Sequence, residues 1–454
     1  MATVVALVKE TPDQAAARAA QELTEDTLAE SFEREHVGDI KYNHARKQYL
    51  LYDKDSGLWR ADSTERVAHL VRVHVRALNV RSEPRFGKAQ TVAGVERLVR
   101  AHPQIAVAGH EFDADPWLLG TPGGVYDLRT TEPLPHSCEH LVTKSTSVAP
   151  DPDQVPTLWM RFLAEATGND PDVIGYIQRL FGYALTGDTR EEQLTFLHGP
   201  GGNGKGVLLN VVKEIAGDYA TVAGMDTFLE SRNDRNSADL ASLAGARIVI
   251  ASESSDGRRW DDQRAKSVTG RDPVTARHLY GNFFTYVPQF KLLIASNHQP
   301  RIRTVDDAWR RRLHMLPFDK KPANPDPELK LRLRDEYPAI LHWMMEGAEW
   351  WLREGLAKPE TISTATTAYL RSEDIVGLWF EECCELDAAA ETSRKTIYGS
   401  LERWCADMGH RAPTQHALTR WLGLNQGIEQ DIRKSSRPYL GIQLRPDENL
   451  GPIQ

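Results

Sequence analysis

The sequence predicts an α/β protein. A parallel sheet with flanking helices carries a P-loop, preceded by a mixed α+β domain and followed by helical and winged-helix-like segments. Three observations predict it. A short apolar strand, Gln193 to His198, runs into a glycine-rich loop and then a helical pattern with Leu208, Val211, Val212 and Ile215 on one face, ended by Gly217. Two more apolar strands have polar tips: Arg247 to Glu253 ends in an acid, and Phe290 to Asn297 ends in an amide. Strands alternating with helices in this way form parallel sheets whose sites lie along the carboxyl edge. Near the C-terminus, helices at about 394–408 and 414–423 precede strands near 428–433 and 438–445, with the basic turn Arg433 to Arg437 between them, the order of a winged helix.

The loop is a phosphate cradle by composition. Gly199, Pro200, Gly201, Gly202, Asn203, Gly204, Lys205 and Gly206 place Gly199, Gly204 and Lys205 at P-loop spacing. The glycines let backbone N–H groups turn toward a triphosphate. The helix N-terminus adds its positive end, and Lys205 reaches the β- and γ-phosphates of ATP. A Ser or Thr usually follows the lysine and holds Mg²⁺ through its hydroxyl. Gly206 stands there, so either water fills that position or the Mg²⁺ site is weaker.

The chain of 454 residues is long enough for about three domains. A helix is expected from Leu23 to about Glu35, two strands around a turn over Lys41–Tyr52, helical spacing over 64–80 and 91–101, and a strand-and-turn segment over Leu118–Arg129. The Pro/Asp stretch Ala149–Pro156 is a linker, followed by helices at about 157–167 and 171–185. Lys320–Pro327 is a second linker, and helices then cover about 328–356 and 361–386. The expected division is 1–150 pre-core α+β domain, 151–320 P-loop core with its leading helices, 321–370 helical segment and 371–454 winged-helix-like domain.

Composition is that of a globular protein, 41% hydrophobic and 26% charged, with no apolar run of the ~18 residues a membrane span needs. The start has no basic n-region. Cys138, Cys383, Cys384 and Cys405 form no C-x-x-C pair, which argues against a disulfide framework or a zinc site and fits a reducing cytoplasm. The net charge of −9 argues against a generally basic nucleic-acid coat but leaves room for a basic lining inside a ring or cleft.

The candidate site follows from the strand tips. Glu253 can order a Mg²⁺-bound water or polarise the attacking water, with Asp256 as the second candidate acid. Asn297 can orient that water and sense the γ-phosphate. Arg310, Arg311 and Arg312 stand together before a strand, where a guanidinium could meet developing charge from a neighbouring subunit. Val274–Leu279 and Phe283–Val287 read as a hairpin turning at Gly281-Asn282. Arg277, His278 and Tyr280 at its tip offer charge for a DNA backbone and rings for stacking. Arg433 and Lys434 are the rival DNA contact.

The order of these motifs resembles the superfamily 3 helicases, specifically the helicase half of phage and plasmid primase–helicases related to the poxvirus primase–helicase. Gly199–Gly206 is similar to that family's Walker A loop and Ile248–Glu253 to Walker B. Lys266, with Thr269 to Asp272 and Arg277, is similar to the extra motif before sensor 1. Leu292–Asn297 resembles motif C, and Trp309–Phe318 the arginine-finger strand, in which Arg312 fits the family position better than Arg311. The resemblance covers about 195–318, with weaker likeness in Gly123–Arg129, Ser145–Pro150 and the tail after about 370. It implies an AAA+-like core, an ATP- and Mg²⁺-dependent homo-hexameric ring and 3′-to-5′ movement on single-stranded or forked DNA. It also implies DNA contacts at Lys266, a place in the cytoplasm of a bacterial host, and a separate primase or polymerase, since no stretch resembles a palm-like priming domain. Two other readings stay open: a P-loop ATPase that melts or loads DNA without processive unwinding, and a DNA-binding scaffold with a decayed site. Only Gly206 favours the last.

Overall fold

In the computed structural model the chain divides into two compact units, Met1–Pro150 and Asp151–Gln454. The structure describes residues 23–79, 84–230, 238–252, 258–279, 281–322, 324–431 and 437–446.

The first unit begins with α1 (Glu25–His36), capped reciprocally by Thr24 and Thr27. Strands β1 (Ile40–Asn43), β2 (Gln48–Asp53) and β3 (Leu58–Ala61) form a meander. Helices α2 (Arg66–Leu78) and α3 (Ala89–Val99) lead to β4 (Ala106–Val107), which joins β1 in parallel and gives the order β3-β2-β1-β4. Leu28, Phe32, Ile40, Val67, Val71, Val95 and Val99 make its core. A second sheet holds β5 (Leu118–Thr121), β6 (Gly124–Asp127) and β7 (Glu132–Pro133).

The second unit opens with α4 (Thr157–Thr167) and α5 (Pro171–Leu185), the latter capped by Asp170 with Pro171 in its first turn. Next come β8 (Leu194–His198), α6 (Lys205–Ala216), β9 (Ala220–Gly224), α7 (Ala238–Ala241), β10 (Ile248–Ser252) and α8 (Asp262–Thr269). The hairpin β11 (Val274–Arg277) and β12 (Phe283–Tyr286) precedes β13 (Lys291–Ser296), α9 (Asp307–Arg312) and β14 (Leu313–Pro317). The main sheet is wholly parallel, in the order β14-β8-β13-β10-β9. Leu194, Phe196, Leu197, Ile248, Val249, Leu292, Leu293 and Ile294 are buried, as continuous apolar runs in a sheet covered on both faces require. This five-stranded sheet with flanking helices is the P-loop, AAA+-like core.

Register decides what this core can do. Ser296 and Pro317 both pair with His198, Ser252 pairs with Ala295, and Gly224 pairs with Ser252. The five strands therefore end at nearly one level, and the loops that follow them share one edge.

The region beyond differs in detail from the sequence pattern. The helix expected at 328–356 is α10 (Leu329–Arg332), a 3-10 turn and α11 (Tyr337–Glu354). The one expected at 361–386 is α12 (Glu360–Glu373) and α13 (Ile375–Cys383), broken where Asp374 caps the second helix, and then a strand, β15 (Cys384–Thr392). Helices α14 (Arg394–Asp407) and α15 (Gln415–Gln426) follow. Strand β16 (Tyr439–Leu444) pairs antiparallel with β15. In the described part of the strand expected at 428–433, Gln430 bridges to Tyr439, and Arg433 and Lys434 lie outside the described residues. Strand, two helices and a return strand keep the winged-helix-like order around Trp379, Ile397, Leu401, Leu418 and Leu422. Among the described residues no helix is long and apolar enough to cross a membrane.

Candidate nucleotide site

The loop leaves β8 at His198 and closes on the tip of β14. Phe318 donates its backbone N–H to His198 O at 2.8 Å, and the Asn203 amide donates to Phe318 O. Gly199 sits at φ +141°, and a Cβ there would lie 2.2 Å from Phe318 O, so only glycine allows this approach. Gly204, at φ +91°, is the N-cap of α6, and its missing Cβ makes room for the Phe162 ring.

Lys205 opens α6 and is buried. Its Nζ donates to Gly199 O (2.7 Å), Pro200 O (3.2 Å), Asn203 Oδ1 (3.0 Å) and Asn297 Oδ1 (3.1 Å). An ammonium ion has three protons for these four acceptors. Burial lowers the Lys205 pKa and the nearby Asp319 carboxylate raises it. The cation is thus held by neutral oxygens, which a triphosphate can replace with charged ones. Asn297 reaches the cradle from the next strand in the sheet. Glu253 follows Ser252 at the tip of β10, but it, Asp256 and Tyr280 lie outside the described residues.

Gly206 is different from Gly199. Nothing lies within 4 Å of the position its Cβ would take, so no packing demand excludes a hydroxyl there. Among the described residues no group of three or more His, Cys, Asp or Glu could hold a metal ion.

The three arginines divide by environment. Arg312 is buried and donates to Glu192 Oε2 at 2.7 Å. Arg311 is exposed and only reaches the same carboxylate at 3.4 Å, and Arg310 is exposed. All three precede β14, whose first residue Leu313 pairs with Leu194. They stand at the opposite edge of the sheet from Lys205, roughly 16 Å away at ~3.3 Å per strand residue. The chain's own cradle is out of their reach.

Lys266, expected as a DNA contact, is engaged within the fold. Its Nζ bonds Asp306 Oδ2 at 2.6 Å, the side chain that caps α9, and lies 5.7 Å from the Trp309 ring. Asp262, one turn earlier, accepts from Trp309 Nε1 at 3.2 Å, and burial pushes it up to about 6. Lys266 thus ties α8 to α9. The hairpin exposes Arg277 and His278 of its expected residues. Arg277 lies over the Phe283 ring at 5.0 Å, and His278 stacks on Phe284 at 5.0 Å and 20°. Arg277, His278, Leu279 and Phe283 are exposed. Sequence reasoning missed Glu192, Asp306, Phe318 and Asp319. The first three bond to candidate residues and Asp319 shifts Lys205, but each is distant in sequence from the residue it acts on.

Residues 29–168 match the family described as D5 N terminal like, and residues 197–312 match a family of unknown function, DUF5906. The chain is 26% identical over 288 residues to "Putative helicase L207/L206" of Acanthamoeba polyphaga mimivirus, covering 58% of this chain and 30% of that one. It is 24% identical over 242 residues to "Putative helicase 022R" of Frog virus 3 (isolate Goorha), covering 48% and 25%. Its fold is similar to the apo structure of NrS-1 C terminal region (305-718), with TM-score 0.54, 13% identity, and coverage of 94% of this chain and 100% of that one. The chain is thus similar to D5-type and putative-helicase sequences and shares the fold of that C terminal region. The D5-type match runs past the first unit through α4, and the second match spans the P-loop, the hairpin and the arginines. The matched part is under a third of either curated relative's length.

Proposed function

We propose that the chain is an ATP-driven helicase of the superfamily 3 kind, moving on single-stranded DNA during replication of a phage, plasmid or integrated element. One observation carries the reading: the aligned strand tips bring the P-loop lysine to Asn297 and set the tip of β10, which Glu253 follows, beside them. Lys205 and the N–H groups at the start of α6 bind the β- and γ-phosphates. Asn297 holds the γ-phosphate side of the cradle and orients water, while Glu253 accepts its proton. Bound Mg²⁺ would neutralise the phosphate oxygens.

A ring completes the site. The arginines face away from their own P-loop, so a guanidinium can act only on a neighbour's nucleotide, as heterologous closed assemblies permit. Exposed Arg311 and Arg310 can reach across without breaking a buried pair, whereas Arg312 would abandon Glu192. The hairpin grips DNA, since its stacked rings and Arg277 suit a sequence-blind hold on a single strand.

The test is ATP hydrolysis and strand displacement on a forked substrate, with 3′- and 5′-tailed forks giving the direction. Wild-type protein should do both, and Lys205→Ala neither. Hydrolysis without displacement favours the DNA-melting reading, which the winged-helix-like end also supports. Absence of hydrolysis sinks both.

A further inference from the structure

A cleft of about 460 Å³ lies within the second unit, between the segment after β13 and the turn joining α14 to α15. Arg259, Arg301, Arg303 and Arg411 line it. Arg303 pairs with Glu230 at 3.4 Å. Arg259, Arg301 and Arg411 form no ion pair among the described residues.

Two carboxylates share the cleft and accept from neighbouring N–H groups. Glu373 accepts from Ile302 N at 2.7 Å. Asp374 accepts from Gly377 N at 3.1 Å and from Trp421 Nε1 at 3.2 Å. Burial raises the pKa of both, and at Glu373 the charges of Arg301 and Arg259 oppose that rise. Three guanidiniums facing one space repel one another in a chain of net charge −9. An anion relieves that repulsion, and the planar guanidinium fork fits phosphate. Arg411 also stands in the turn before α15, whose N-terminus is capped by Thr414 and directs its positive end here.

Shape and surface narrow the ligand. The volume is that of a small-ligand pocket, about 300–1,000 Å³, too small for a duplex whose major groove alone is about 12 Å wide. Of the two rings in the lining, Trp421 is buried with its N–H bound to Asp374, and half-buried His410 stacks on Trp404 at 6.1 Å and 24°. We infer that this cleft is a second single-stranded DNA site, distinct from the hairpin, that grips about two backbone phosphates and reads no base. The inference rests on the proposed action on DNA. Arg301 lies four residues beyond Asn297, and the intervening Pro300 O accepts from Tyr369 OH, so a strand held here is anchored beside the segment that leaves the nucleotide site.

The experiment measures binding of the full chain to a fluorescent oligothymidylate against salt. Arg301→Gln with Arg411→Gln should flatten the slope of log affinity on log salt by about 1.4, at ~0.7 per phosphate on a single strand. An abasic oligonucleotide of equal length should lose the same amount. Arg332→Gln with Arg353→Gln, which removes equal charge elsewhere, should leave the slope unchanged. If the double variant unfolds, Arg411→Gln alone, on an exposed turn, should take about half the slope change. Wild-type failure to bind DNA would overturn the functional reading itself. Wild-type binding with an unaltered slope in the variant overturns the cleft alone. So does capture of a hexa-aspartate peptide that the variant abolishes while its DNA slope stays, because the occupant is then a protein.

Discussion

Gly199→Ala and Gly206→Ala add the same methyl group to the two ends of one loop, with opposite consequences. At Gly199 the new Cβ falls 2.2 Å from Phe318 O, 2.8 Å from Phe318 C and 2.7 Å from Asn203 Nδ2. Those backbone atoms cannot swing aside, because Phe318 N is bonded to His198 O. The φ of +141° adds strain of about 1–3 kcal/mol, and the forced shift adds about 1–3 more. A loss of about 2–6 kcal/mol is a large part of the ~5–15 that holds a domain together. At Gly206 nothing lies within 4 Å and the residue is helical, so alanine should cost nothing and gain up to about 1 kcal/mol. Denaturant unfolding followed by tryptophan fluorescence, with nucleotide binding on the same samples, measures both. Gly199→Ala should shift the midpoint down and weaken nucleotide binding, and Gly206→Ala should do neither. A wild-type midpoint for Gly199→Ala, or equal damage from both, would refute the close approach of loop and β14. Gly206→Ser puts a hydroxyl in the same open space and should lower the Mg²⁺ needed for half-maximal hydrolysis.

Three further predictions concern other parts of the molecule. Arg312→Ala strands Glu192 and should cost about 1–3 kcal/mol of stability, while Arg311→Ala should leave stability intact and lose hydrolysis that mixing with Lys205→Ala partly restores; a stable, inactive Arg312→Ala beside a fully active Arg311→Ala reverses the assignment. Arg277→Ala with His278→Ala should stop strand displacement while DNA-free hydrolysis persists, and the hairpin role fails if Arg433→Ala with Lys434→Ala has that effect instead. His314, bonded to Tyr176 OH at 2.7 Å, is held near 3 by burial, against 6.5 ordinarily. The unfolded chain then binds a proton the folded one refuses, so stability present above pH 6.5 is lost as pH falls, by up to about 1.4 kcal/mol per unit. Melting at pH 7 and pH 5 should show a drop that His314→Asn reduces, and equal drops would exclude His314 as the source.

What the sequence by itself determined is the P-loop core. Strands β8, β10 and β13 are legible because a parallel sheet covered on both faces demands unbroken apolar runs, and α5 because Asp170, Pro171 and its apolar stripe are local signals. Strand β9 was missed because Ala220, Thr221 and Val222 are partly exposed, and β15 because its mostly exposed acid- and alanine-rich sequence reads as helix until β16, some fifty residues on, pairs with it. Tertiary structure alone decided which charges are spent. Lys266 meets Asp306 across 40 residues and Arg312 meets Glu192 across 120, while Arg301 and Arg411 are left facing one cleft. Periodicity records which face of an element is buried, since burial recurs with each turn or pleat. A single ion pair between distant segments recurs nowhere, so only the folded chain reveals it.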